Sequence, residues 1–430
     1  MSRGRRRWSG RHLLIGLVVV ASACSSSGES DVDDPESVTP DAEVVADAER
    51  ALSAERTIDE YVDLNERQAR LRAQEERPVP ASALPPRHLD ADAFPESLVD
   101  RDLIVNGGPP PDGIPPLENP PFVSVGDVDW LEPQEAVLAL TVDGRAQAYP
   151  IRIVMWHEVV NTSIGDRPIA VTYCPLCGSG LAFDRRLDGE LLDFGTSGSL
   201  YQANLVMYDR QTESLWTQFD GRAVVGEMVG TELPVIPMAT VSWAEFATAH
   251  PDGDVLSLDT GFERPYGRNL YASYSGRTEP VPGYFSGESD PAMPAFTQVV
   301  GIEVADSAAV IRLADLADRG VVHLEVGGVD AVAWHVDGMS SPLSGTEVAG
   351  GDTIGSTGVF VSRIDGRSTT FEPAPSGDGF VDAATGSRWN LLGTAVEGPT
   401  TGAQLAPLHH VDTFWFSWAT FRPDSTVWSS

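Results

Sequence analysis

The chain is 430 residues long and 42% hydrophobic, with 63 acidic against 29 basic residues and a formal net charge of −34. Every basic residue is arginine, which rules out a lysine Schiff base, a pyridoxal phosphate attachment and a phosphate-loop lysine. Acidity on this scale argues against nucleic acid or an anionic membrane face as partner, and the length leaves room for more than one core.

At the N-terminus, Arg5-Arg6-Arg7 supplies a basic stretch, Leu13 to Val20 an apolar run, and Ala21-Ser22-Ala23-Cys24 a small-residue cleavage site. The pattern is similar to a bacterial lipoprotein signal, with alanine where leucine is usual three residues before Cys24. The expectation is a signal peptide over 1–23 and lipidation of Cys24. The mature chain would then be exported to the cell envelope, anchored to the membrane's outer face or periplasmic. The apolar run is too short to span a bilayer comfortably. Residues 24–40, rich in Ser, Asp, Glu and Pro, read as a disordered spacer. Residues 41–121 read as a tether. Ala42 to Glu76 carries apolar residues at helical spacing, and Pro78 to Pro121 is proline-dense.

From residue 122 the pattern turns to strands. Val137 to Val142, Asp143-Gly144 and Arg145 to Val154 read as a hairpin. Leu181 to Asp184, Leu191 to Phe194, Leu205 to Tyr208 and Ala223 to Val229 read as further strands. Helices are expected only over Trp243 to Ala249 and Asp315 to Arg319. Blocks also recur in order. Thr212 to Trp216 answers Thr385 to Trp389, Gly221 to Gly226 answers Gly393 to Gly398, and Ser242 to Phe246 answers Ser417 to Phe421. Pro251-Asp252 answers Pro423-Asp424, and Val137 to Ile153 can be laid on Val299 to Leu316. The reading is a mainly β fold with minor α (α+β), built as two duplicated β-rich lobes. The first repeat would cover 122–260, a linker 261–296 and the second repeat 297–430.

Cys174 and Cys177 are the only cysteines of this body, in Tyr173-Cys174-Pro175-Leu176-Cys177-Gly178. An apolar run leads in and Gly178-Ser179-Gly180 leads out, which predicts strand, tight turn, strand. The second repeat has His335-Val336-Asp337-Gly338-Met339 at about this place and Arg319 where the first has His157, so His157, Cys174 and Cys177 group as a site. A disulfide closing so short a loop would stabilise by only about 2 kcal/mol, which favours metal or redox use over a staple. Two thiolates with His157 as imidazole ligand would suit copper or zinc, with Met207 or Asp209 as fourth donor and Asp184 or His250 behind them. No organic cofactor is expected. A thioredoxin-like use lacks the helix N-terminus that normally follows the first cysteine.

The strings His157 to Asn161, Val171 to Gly178, Phe183 to Arg185, Leu205 to Trp216 and Phe414 to Trp418 together resemble the domain of unknown function 3179 family of bacteria and archaea. The likeness runs from about Val123 to the C-terminus. It implies a shared fold and a shared site at the cysteine pair, and no reaction. Three readings follow. The first is a membrane-anchored lipoprotein binding copper or zinc through Cys174, Cys177 and His157. The second is a thiol–disulfide oxidoreductase using Cys174 and Cys177. The third is a non-catalytic surface module with a structural disulfide, its protein or small-molecule partner unspecified.

Overall fold

The computed structural model describes residues 95–429; the signal segment, Cys24, the spacer and the helical part of the tether lie outside the described residues. The fold is mainly β with minor α. Helices are short, at Ile151–Val154, Trp243–Ala249, Leu313–Arg319 and Trp415–Phe421.

One order of elements occurs twice. The hairpin Ala136–Val142/Arg145–Pro150 leads into a helix and then the strands Val159–Ile164, Arg167–Cys174 and Ser179–Asp184. The hairpin Gln298–Val304/Ser307–Arg312 leads into a helix and then Val321–Val326, Val329–Val336 and Ser356–Val361. Each group closes alike. Met238–Ser242 returns antiparallel to Ala136–Val142, enters a helix, and Asp254–Leu256 pairs parallel with Arg145–Pro150. His409–Phe414 returns antiparallel to Gln298–Val304, enters a helix, and Thr426–Val427 pairs parallel with Ser307–Arg312. Both closing helices end two residues before a proline, Pro251 and Pro423. That register sets Trp243 against Trp415, one helical turn from the Trp418 that the matched blocks suggest.

A hydrogen-bonded tryptophan also recurs. Trp216 Nε1 donates to Asp209 Oδ2 at 2.9 Å, and Trp389 Nε1 to Asp382 Oδ2 at 2.9 Å. In each case a threonine three residues on donates its backbone N–H and its hydroxyl to the same carboxylate.

The central strands are apolar on both faces because both faces are covered. Along Ala136–Val142, Leu138 and Leu140 enter one core while Val137 and Ala139 enter another. Along Arg167–Cys174, Ile169, Val171 and Tyr173 face one core, and Ala170 and Cys174 the other. The cores are shared between the two groups of elements. One holds Cys174 and Cys177 together with Phe414 and Trp418; another holds Val137 and Ala148 with Trp334 and Trp389. Residues 261–296, expected as a linker, contribute Tyr271, Tyr274, Val281, Tyr284, Met293 and Phe296 to the core of the cysteines.

Three strand expectations need correction, the first being Leu191 to Phe194, which is broken at Leu192-Asp193 between the strands Glu190–Leu191 and Phe194–Tyr201. The second strand of the first hairpin ends at Pro150, where Ile151–Val154 turns helical, because the proline N has no hydrogen to donate and suits a helix start. The strand expected over Ala223 to Val229 spans Arg222–Val225 and stops at Gly226, whose φ is +106°. A helix at Trp415–Phe421 was not expected.

Candidate functional site at the cysteine turn

Cys174 ends one strand and Ser179, its cross-strand partner, begins the next. Between them the Cys177 N–H donates to the Cys174 carbonyl at 3.1 Å, and Gly178 takes φ = +66° to close the turn. Proline at the second position fixes φ for such a turn, and glycine bears the left-handed residue. The turn is then held from outside. The Phe414 N–H and the Thr413 hydroxyl donate to the Cys177 carbonyl at 3.1 and 2.8 Å, and the Tyr274 hydroxyl donates to the Leu176 carbonyl at 3.1 Å. So the strand His409–Phe414 and the 261–296 segment lock the cysteine turn in place.

Both sulfurs are unbridged and buried, Cys174 at 1% and Cys177 at 0% exposure. They share one acceptor. The Ala203 carbonyl lies 3.8 Å from Cys174 Sγ and 3.6 Å from Cys177 Sγ. That carbonyl is aimed by a two-residue turn, Gln202-Ala203, with φ of +51° and +60°. Such a turn usually recruits Gly, Asn or Asp, and each other residue in it costs about 1–2 kcal/mol. The Ala203 N–H donates to the Tyr284 carbonyl at 2.7 Å, which helps pin the strained backbone.

A buried amide chain reaches Cys177. Asn204 Nδ2 donates to Cys177 Sγ at 3.3 Å and to Gln218 Oε1 at 2.8 Å, while Asn204 Oδ1 accepts the Phe219 N–H at 3.0 Å. Gln218 Oε1 also accepts from the Ser179 hydroxyl at 3.3 Å, and Gln218 Nε2 donates to Thr172 Oγ1 at 3.1 Å. These donors part the two acidities. Burial pushes the Cys177 thiol up, but hydrogen bonding from Cys174, Ser417, Asn204 and Ser179 outweighs it, and the net shift is down. The Ser417 hydroxyl has no nitrogen or oxygen partner of its own. Burial pushes Cys174 well up, and its neighbour Cys177 and the charge of Glu158 push it further. Cys177 is therefore the more acidic thiol of the pair and Cys174 the less acidic.

The nominated ligands do not gather here. His157 Nδ1 donates to the Pro115 carbonyl at 2.7 Å, and its Nε2 accepts from the Tyr266 hydroxyl at 2.6 Å. Both ring nitrogens are thereby committed, and burial lowers its pKa to about 4, so the ring is a neutral, packed histidine. Asp209 is held by Trp216 and Thr212, and Asp184 by Arg167 at 2.9 Å. His250 lines a different cavity, with His410. Met207 alone among the nominees shares the core of the two sulfurs. Among the described residues, no three His, Cys, Asp or Glu side chains are placed to hold a metal ion together. Two thiols and a thioether fall short of the donor set expected for copper or zinc, and no metal-dependent step is derived.

A family model described as protein of unknown function (DUF3179) matches residues 111–425. The chain belongs to that family. No curated protein and no solved structure matches it. The match takes in the cysteine turn, the Asn204–Gln218 chain and the Phe414 strand alike. Asn204, Gln218, Ser179, Ala203 and Tyr274 escaped the sequence reading, since each is an ordinary polar or turn residue until the fold sets it beside the sulfurs.

Proposed function

We propose that Cys174 and Cys177 form a redox-active dithiol that exchanges with small disulfides. The observation that supports this reading best is the pair of unbridged thiols on one turn, with Asn204 donating to Cys177 alone, the acidities of the two shifted in opposite directions, and, among the described residues, no His, Asp or Glu placed with them as a metal donor. Attack would come from the Cys177 thiolate on one sulfur of a low-molecular-weight disulfide, forming a mixed disulfide and releasing one thiolate. Cys174 would then lose its proton and attack the Cys177 sulfur, closing the intramolecular disulfide and releasing the second thiolate. Protons from Cys174 and solvent convert the two leaving groups to thiols. The enzyme-side pair is oxidised by two electrons and the small disulfide is reduced by two. Because both sulfurs are buried, the packing around them must open before a disulfide can enter, so the reaction would be gated.

Glutathione disulfide at pH 7.5, followed by intact mass, tests the order of attack. Wild type should end as the intramolecular disulfide with no adduct. Cys174→Ser should stop with one glutathione on Cys177, and Cys177→Ser should react at least tenfold more slowly. Preferential capture by Cys174, or no reaction at either sulfur, would overturn the reading.

A further inference from the structure

On the opposite face of the cysteine strand lies a cavity of about 50 Å³, bounded by Tyr173, Gly178, Thr240, Met339, Thr357 and Asp412. A buried water needs roughly 10–15 Å³ by this kind of measure, so there is space for a few heavy atoms. The rest of the wall is mostly aliphatic and aromatic, with Ile151, Val299, Leu313 and Phe414 among its residues, and Gln298, Ser341 and Thr413 add uncharged polar groups. Within it stands one carboxylate without a counter-ion. Asp412 accepts from the Thr357 hydroxyl at 2.9 and 2.8 Å through its two oxygens and makes no ion pair among those found in the described residues. Thr240 is its other hydrogen-bond donor.

An ionised carboxylate offers about four lone-pair sites, and two hydroxyls leave some of them open toward the cavity. An uncompensated charge in an apolar pocket is costly unless a cation joins it. We propose that this cavity binds a small organic cation, an alkylammonium or amidinium group of a few heavy atoms, with Asp412 as its counter-ion and the apolar wall taking its carbon. The site is separate from the sulfurs but shares their scaffold. Thr413, next to Asp412, donates to the Cys177 carbonyl, and Gly178 forms part of the cavity wall.

Burial, opposed by the hydroxyls of Thr357 and Thr240, raises the Asp412 pKa to about 7. The other groups facing the cavity from the surrounding elements are uncharged, and Tyr173, whose own pKa is raised, is the only further titratable side chain among them. Cation affinity should follow the ionised fraction of Asp412.

The test is calorimetric titration of the whole chain with methylammonium chloride against potassium chloride of equal ionic strength, at pH 8 and pH 5.5. Saturable binding of methylammonium at pH 8 is expected, weaker by at least about tenfold at pH 5.5, and lost in Asp412→Asn, whose thermal midpoint should be no lower than that of wild type. Should Asp412→Asn fail to fold, the pH dependence of wild type decides alone. No saturable methylammonium binding at pH 8, equal affinity at both pH values, or unchanged binding by folded Asp412→Asn would overturn the proposal.

Discussion

The side-chain amide of Asn204 donates to Cys177 Sγ at 3.3 Å while its carbonyl oxygen holds the Phe219 N–H at 3.0 Å, so one buried residue touches both a thiol and the backbone of the next strand's end. Removing it should separate those two roles. In Asn204→Ala the Cys177 thiol should titrate at higher pH, read from thiolate absorbance at 240 nm. The fold should lose about 1–3 kcal/mol in urea, because the buried Phe219 N–H is left without a partner and Gln218 Oε1 keeps only its longer bond from Ser179. An unmoved thiol titration would mean that Asn204 is structural only.

The turn itself should resist a side chain at Gly178. A Cβ there would lie 3.1 Å from Phe414 Cε2, on a residue whose φ is +66°. Gly178→Ala is expected to cost on the order of 2 kcal/mol, from left-handed strain and overpacking together. Gly144→Ala, with φ = +76° and open space around the new atom, controls for the conformational part alone. Equal losses in the two variants would show that Phe414 yields.

Acid should weaken the fold before the carboxylates titrate. His157, His409 and His410 are each lowered by burial from 6.5 to about 4. A histidine that takes its proton more readily when unfolded contributes stability that is complete above about pH 6.5 and drains away as pH falls toward 4. Each should account for on the order of a few kcal/mol over that window. Urea midpoints measured from pH 7.5 to 4.5 should fall, and the fall should be shallower in His157→Gln. A flat profile would indicate that these rings are charged or solvated in the folded chain.

Asp412 pulls the other way. Its folded pKa, about 7, lies above the ordinary carboxyl value, so its contribution is complete in acid and is lost as pH rises toward and through 7. Asp412→Asn should therefore be more stable than wild type at pH 8, and this gain should vanish near pH 4. The thermal midpoint at the two pH values checks it. A loss at pH 8 would place a compensating cation on Asp412 in the purified protein.

The β-rich class, the hairpin at Asp143-Gly144, the Trp243–Ala249 helix and the strand–turn–strand around Cys174 were legible because period-two apolar runs and turn residues are local signals. The surroundings of the sulfurs were not. Asn204 lies 27 positions from Cys177, and Thr413 lies 236 away, so only the folded chain brings them to the turn. His157 misled for the opposite reason. It is near Cys174 in sequence, but Glu158 takes φ = +60° directly after it, and the ring ends between Pro115 and Tyr266. The helix at Trp415–Phe421 went unread because Trp415, Phe416, Ser417, Trp418 and Ala419 are all buried, which leaves no polar face to mark a helical period.

The central claim is that Cys174 and Cys177 cycle between dithiol and disulfide. Equilibration of the purified chain across a series of glutathione redox buffers, with alkylation of free thiols after denaturation and metal content determined on the same samples, tests it most directly. One reversible two-electron transition between two free thiols and none is expected, absent in Cys174→Ser, with no stoichiometric metal in either state. Stoichiometric copper or zinc that is lost when both cysteines are replaced by serine, or two thiols that stay reduced in every buffer, would contradict it.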